Sequence, residues 1–282
     1  MVNVICVIGA GTMGSGIAQV SAQAGFTTLL FDINESMLQK AALAIEKNLQ
    51  YLLDKQKIRP EEKENIFNRI QFISEIKDCI ADVFIEAIVE KAAAKADIFN
   101  RLSVLNNSSA IFATNTSSLS VSDIQQQTAH PARVVGMHFF NPAPLMKLVE
   151  VVQGNQTSDE VAQTIMQLCQ RMNKVAVLCK DAPGFIVNRV ARHYYLEAMK
   201  LVEQDKAGIE TVDAIMEASG FKMGPFKLMD LIGMDINLAV SQSIYNAFDK
   251  TERFKPSPLQ EDKVAKNELG KKTGKGFYNY NG

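Results

Sequence analysis

Long apolar runs are missing from this chain of 282 residues. None approaches the ~18 residues of a membrane-spanning helix, so no such span is expected. Net charge is nearly missing as well: 30 Lys and Arg stand against 31 Asp and Glu. No global field draws the chain to nucleic acid or to an anionic membrane, although a local basic patch is compatible with that balance. Cysteine is sparse and scattered (Cys6, Cys79, Cys169, Cys179), with no CxxC pair. That argues against a disulfide framework or any metal site, and for buried free thiols in a reducing, cytoplasmic setting. The start shows no charged leader and apolar core of a signal peptide. Only 16 Gly and 8 Pro favour long regular elements over loops. Hydrophobic residues at 47% and charged residues at 22% exclude disordered, collagen-like and coiled-coil classes. Internal repeats and low-complexity segments are absent too.

What is present begins at once. Val4-Ile5-Cys6-Val7-Ile8 is an apolar, β-rich run fit for burial on both faces of a parallel sheet. It leads into Gly9-Ala10-Gly11-Thr12-Met13-Gly14, after which Ile17, Ala18 and Val20 open a helical pattern. This is GxGxxG between strand and helix, the context in which the motif binds a dinucleotide. Gly9 permits the turn, Gly11 lets the backbone approach a pyrophosphate, and Gly14 lets the helix pack on the strand. The unpaired N–H groups at the helix start, Thr12 and Met13 among them, face the anion. A second strand, Thr27–Phe31, ends at Asp32, 21 residues past Gly11. A carboxylate there accepts ribose hydroxyls and repels a 2′-phosphate, which favours NAD over NADP. FAD uses the same fingerprint and stays open at this point.

Strand-like runs recur at 70–73, 83–86, 110–114, 134–138, 148–152 and 175–179. Helical patterns lie among them at 36–53, 92–105 and 159–172, with a polar connection at 54–64. Such alternation predicts an α/β fold with a doubly wound, mainly parallel, Rossmann-type sheet. The character changes at Lys180-Asp181-Ala182-Pro183-Gly184, beyond which every pattern is helical. Helices are expected at 184–204, at 209–218 closed by Gly220, around 226–232, from an Asp235 N-cap to 248, and from Ser257-Pro258 to Gly270. The boundary is set accordingly: 1–183 for dinucleotide binding, and a smaller, all-helical C-terminal domain at 184–282. A helical domain of that size often needs a partner for an apolar face, which makes dimerisation a hypothesis.

Hydride transfer from an alcohol needs a base, and histidine titrates nearest neutrality. The chain has three. His130 precedes Pro131 in a polar connection, and His193 reads as a surface or interface residue. His138 closes a strand, at the sheet end where open α/β sheets bind ligands; a catalytic and a core histidine both fit. Glu150 interrupts the apolar run Leu148-Val149-Glu150-Val151-Val152. Either it is buried and paired, with a strand-end histidine as a suitable partner, or it sits on an exposed edge. Ser117, in Thr114-Asn115-Thr116-Ser117-Ser118, and Asn188, one turn into the helical region, are candidate hydrogen-bonders to a substrate oxygen. Taken singly, each also fits a capping or surface residue.

Together these motifs resemble the L-3-hydroxyacyl-CoA dehydrogenases, most closely their bacterial 3-hydroxybutyryl-CoA members. The resemblance runs from Val7–Gly14 through Ile85–Glu90, Asn115–Leu119, His138–Pro142, Lys147–Val152, Asp181–Arg189 and Met223–Phe226 to Gly270–Tyr278. It implies an NAD-dependent oxidoreductase of fatty acid metabolism. His138 would be the general acid/base at the C3 oxygen and Glu150 the carboxylate that orients it. Ser117 and Asn188 would bind the substrate. Glu90, Lys95, Asn115, Asn141 and Lys272 would contact NAD beside Asp32 and the glycines. An acyl-CoA substrate and a homodimer through the helical domain are implied as well. One region departs from the family pattern. Where the family presents basic residues to the CoA phosphates, this chain has Gln50 and Asp54, then Lys55, Lys57 and Arg59, then Glu61 and Glu62. Lys55 is the candidate there, against a solvated charged face. Two rivals remain: a dehydrogenase of free 3-hydroxy acids, and a non-catalytic, crystallin-like relative.

Overall fold

Val4–Ile8 forms β1, with only Val4 not fully buried, in a computed structural model that describes residues 2–280. The chain then alternates through α1 (Thr12–Gln23), β2 (Thr27–Phe31), α2 (Glu35–Asp54), α3 (Pro60–Asn68), β3 (Ile70–Ile73), β4 (Val83–Glu86), α4 (Ala92–Leu105) and β5 (Ile111–Thr114). After α5 (Val121–Gln125) come β6 (Val134–Phe139), β7 (Leu148–Gln153), α6 (Asp159–Arg171) and β8 (Val175–Lys180). The eight strands make one sheet in the order β3-β2-β1-β4-β5-β6-β7-β8. All neighbouring pairs are parallel except β6 and β7. The chain reverses its winding at β1, between β2 and β4, and such a switch point opens a crevice at the carboxyl ends of the strands.

The remaining helices are α7 (Val187–Glu203), α8 (Ile209–Ala218), α9 (Pro225–Ile232), α10 (Met234–Ala247) and α11 (Pro258–Ala265). The chain divides into two compact units, Met1–Ala182 and Pro183–Gly282. The first packs helices on the sheet around residues such as Ile5, Ile17, Leu30, Ile85 and Val135. In α2 the buried positions Leu38, Ala41, Ile45 and Leu49 repeat every three to four residues, giving one apolar stripe. The second has its own core of Leu196, Met199, Phe226, Met229 and Met234. There Asp213 Oδ1 and Oδ2 accept from the Phe226 and Lys227 N–H groups at 2.9 and 3.0 Å, satisfying the first turn of α9.

Five elements differ from the sequence reading, the first being the short α5, which no helical pattern marked. The polar connection at 54–64 contains the start of α3, where Pro60 takes the first helical position and Glu62 Oε2 accepts the Arg59 N–H at 2.8 Å. Only Ile66 of that helix is buried, so it leaves little apolar period to detect. Helix α7 starts three residues later than expected, because Gly184 and Phe185 take left-handed backbone (φ +72° and +48°). Asp235 is not an N-cap. Gly233, at φ +103°, precedes α10, and Asp235 lies within its first turn. Helix α11 does have the Ser257 cap, but it ends at Ala265 rather than at Gly270; Asn267 soon follows at φ +54°. Cys6, Cys79 and Cys169 are buried free thiols, while Cys179 is only half-buried. Among the described residues, no helix is long and apolar enough to cross a membrane.

Candidate active site

The turn after β1 is built around two constraints. Gly9 has φ +99°, and its N–H donates to Phe31 O at 2.7 Å, locking the turn to β2. A Cβ on Gly14 would lie 1.7 Å from Gly9 O, so only glycine lets α1 start this close. Gly11 is different: a Cβ there meets no protein atom within 4 Å, leaving the surface of the turn open. Gly11 gives α1 no side-chain cap, and so the first-turn N–H groups face outward with no partner in the helix. Asp32, at the end of β2, accepts the Ala10 N–H at 2.8 Å and the Asn34 N–H at 2.9 Å. A cavity of about 340 Å³ lies over the turn, walled by Lys40 and Asn48 of α2 and by Asn141–Pro144. A larger concavity, about 610 Å³, sits at the amino ends of the strands and holds none of the expected site residues.

Strands β1, β4, β5 and β6 are mutually parallel, so their carboxyl ends share one edge of the sheet. His138 lies at that edge on β6. The antiparallel register of β6 and β7 sets it opposite Glu150. Nδ1 stands 2.8 Å from Glu150 Oε2, and both side chains are buried, at 7% and 1% exposure. A carboxylate only accepts, so the shared hydrogen belongs on Nδ1 and the lone pair stays on Nε2. The His138 ring also packs against Phe140, 4.6 Å between centroids. Exposure on an edge is thereby ruled out for Glu150.

The loop after β5 is tied down on both sides. Asn115 Oδ1 accepts the Phe139 N–H at 2.8 Å, joining this loop to the residue after His138. Glu90 Oε1 accepts from the Thr116 hydroxyl at 2.5 Å and from the Ser117 and Ser118 N–H groups at 3.0 and 3.2 Å. Lys95, which the resemblance sets among the NAD contacts, is buried (1% exposed) and spends its ammonium on carboxylates. It lies 2.7 and 2.9 Å from the two Glu86 oxygens and 3.1 Å from Glu90 Oε2. Burial alone would raise the Glu90 carboxyl. Lys95, the Thr116 hydroxyl and the Ser117 N–H outweigh it and hold Glu90 below its ordinary range.

A family model described as the 3-hydroxyacyl-CoA dehydrogenase NAD-binding domain matches residues 4–182, and that of the C-terminal domain matches residues 184–280. The chain belongs to the 3-hydroxyacyl-CoA dehydrogenase family. It is 43% identical to a 3-hydroxyadipyl-CoA dehydrogenase of Escherichia coli over 99% of its own length and 60% of that protein's. A probable 3-hydroxybutyryl-CoA dehydrogenase of Bacillus subtilis is 40% identical, covering 98% of this chain and 96% of the relative. The crystal structure of (S)-3-hydroxybutyryl-CoA dehydrogenase from Ralstonia eutropha superimposes with a TM-score of 0.95 at 34% identity, covering all of both chains.

As a member of this family the dehydrogenase uses NAD, which closes the FAD reading of the fingerprint. The Gly9–Gly14 turn and Asp32 fit that cofactor, with an open backbone for the pyrophosphate and a carboxylate for the ribose. Asn188 is the second residue of α7, and Lys272 pairs with Asp235 Oδ1 at 2.5 Å; both lie in the helical unit. Lys55 follows α2 directly, exposed, 5.8 Å from the Tyr51 ring centre. Sequence reasoning missed Glu86 and Thr114, whose buried side chains meet at 2.8 Å. It also missed Lys174, whose buried Nζ donates to Ala143 O and Met146 O at 2.6 and 2.7 Å. Lys174 thus fastens the segment that walls the cavity. Burial, and then the charge of Lys147, lower its pKa. A polar end to the run Val83–Glu86 was the one available signal for Glu86.

Proposed function

We propose that this dehydrogenase interconverts a short-chain L-3-hydroxyacyl-CoA and its 3-oxoacyl-CoA, with His138 as the general acid/base. The observation behind this reading is the buried His138–Glu150 pair at 2.8 Å, on the sheet edge that also carries the Gly9–Gly14 turn. Bound NAD supplies the hydride acceptor. Nε2 of His138 takes the C3 hydroxyl proton as the C–H hydride departs, and returns it in the reverse direction. Glu150 holds Nδ1–H and stabilises the imidazolium that forms. Charge grows on the C3 oxygen during oxidation, and hydrogen bonds from Ser117 and Asn188 strengthen there in the transition state. The Gly9, Gly11, Thr12, Met13 and Gly14 backbone with Asp32 holds the dinucleotide; Asn115, Asn141 and Lys272 are further contacts, and Lys55 serves CoA.

The short acyl chain is favoured by the names of the Bacillus and Ralstonia relatives, while the Escherichia relative is named for a dicarboxylic acyl-CoA. Oxidation of NADH is measured with acetoacetyl-CoA, 3-oxoadipyl-CoA and free acetoacetate. Acetoacetyl-CoA should give the highest kcat/KM. Faster turnover of free acetoacetate would overturn the reading, and preference for 3-oxoadipyl-CoA would replace the substrate. The proposal extends to a cytoplasmic homodimer acting in fatty acid metabolism. The helical unit leaves Val190, Ile215, Leu231 and Ile236 about half exposed or more, and large apolar side chains of this kind favour burial against a second copy. Sedimentation equilibrium at micromolar concentration should return twice the mass of 31.1 kDa.

A further inference from the structure

We propose that Glu90, anchored by Lys95 and Glu86, is a positioning residue that sets the loop carrying Ser117. The inference rests on the reading above, in which Ser117 serves the substrate oxygen. Glu90 Oε1 collects four donors from three consecutive residues: the Thr116 hydroxyl, the Ser117 N–H, and the Ser118 N–H and hydroxyl, at 2.5, 3.0, 3.2 and 3.2 Å. Converging backbone N–H groups of this kind form a nest that attracts an anion, and here the anion is the chain's own carboxylate. Its other oxygen is held by Lys95 at 3.1 Å. Lys95 is in turn fixed by both oxygens of Glu86 at the end of β4, and Glu86 is fixed by the Thr114 hydroxyl and the Ile88 N–H.

The chain of contacts therefore runs from two neighbouring strand ends, through a buried ammonium, to the backbone of Ser117. Fixing that N–H leaves the serine little freedom beyond its own χ1. Misplacement of a substrate-contacting group by about 1 Å costs on the order of 10²-fold in rate. Lys95 is committed to carboxylates and acts through Glu90.

A double-mutant cycle of Glu90→Gln and Ser117→Ala tests this, read by steady-state kinetics with acetoacetyl-CoA and by NADH fluorescence titration. Glu90→Gln should lower kcat roughly 10–100-fold, whatever it does to the NADH Kd. The double variant should be no slower than the slower single variant, because the effect of Glu90 passes through Ser117. Multiplying effects would overturn the proposal, and so would a loss confined to NADH affinity, which would make Glu90 a cofactor contact. A wild-type rate in Ser117→Ala would instead remove the substrate role of Ser117, and this inference with it. If Glu90→Gln does not fold, Thr116→Val takes its place. It deletes the shortest of the four donors and should show the same non-additivity.

Discussion

An imidazole bonded through Nδ1 to a buried carboxylate is fixed in one tautomer, with its lone pair on Nε2, the atom proposed as the base. His138→Asn should therefore lower kcat by about 10²–10⁴-fold, with NADH affinity retained; a rate within a few-fold of wild type would remove His138 from the chemistry. Glu90 makes a different prediction. A carboxyl lowered in the fold binds its proton more weakly folded than unfolded. Its stabilisation is complete above the ordinary value of 4.5 and disappears as pH falls through the lower folded value. The Tm gap between wild type and Glu90→Gln should be flat through neutral pH and shrink on acidification below 4.5. A gap that widens there contradicts the ion-paired state. Cys179 responds to the neighbouring pair: burial, then the charges of Glu150 and Asp181, push its thiol up to about 12. Glu150→Gln should bring that titration down, as followed by thiolate absorbance. At this scale the pairing of His138 with Glu150 was legible because His138 closes a strand at its carboxyl end and Glu150 interrupts an apolar run. The Glu86–Lys95–Glu90 linkage was not, since it depends on how α4 packs on the sheet.

Elements were legible wherever one periodicity dominates. The strands lie within a residue of their apolar runs; in β1, β4, β5 and β6 burial on both faces leaves little to blur the pattern, while β3 and β8 at the sheet's two edges are apolar in sequence yet partly exposed. Helix α3 escaped notice for the opposite reason: one buried residue and a charged surface do not make a stripe. The start of α1 is where sequence and packing make the sharpest paired prediction. In Gly14→Ala the new methyl collides with Gly9 O, a backbone atom held by the β1–α1 turn, so the helix must shift. A loss of about 1–3 kcal/mol or more is expected, with weaker NADH binding. In Gly11→Ala the methyl meets no protein atom, and the φ of −68° suits alanine. That variant should keep its Tm and still lose NADH affinity, because the methyl occupies the space of the pyrophosphate. A Gly11→Ala protein with unchanged Kd would remove the pyrophosphate from this turn.

For the whole molecule, the change from alternating to purely helical patterns announced an α/β sheet followed by helices. How many copies assemble was not readable, because exposed apolar side chains name no partner. The dinucleotide fingerprint, from Gly9 to Asp32, lies in Met1–Ala182, a unit with a core of its own. A ligand bound only by the folded state at 100 times its Kd adds about 2.7 kcal/mol to stability. Differential scanning calorimetry of the intact protein should therefore show NAD raising the transition that unfolds the sheet unit. The same concentration of NADP should raise the sheet transition less, since a carboxylate at the end of β2 would repel a 2′-phosphate. Equal shifts from both cofactors would show that the carboxylate does not read the ribose. Asp32→Ala should then leave the difference between the two shifts unchanged, whereas under the present reading it brings them together.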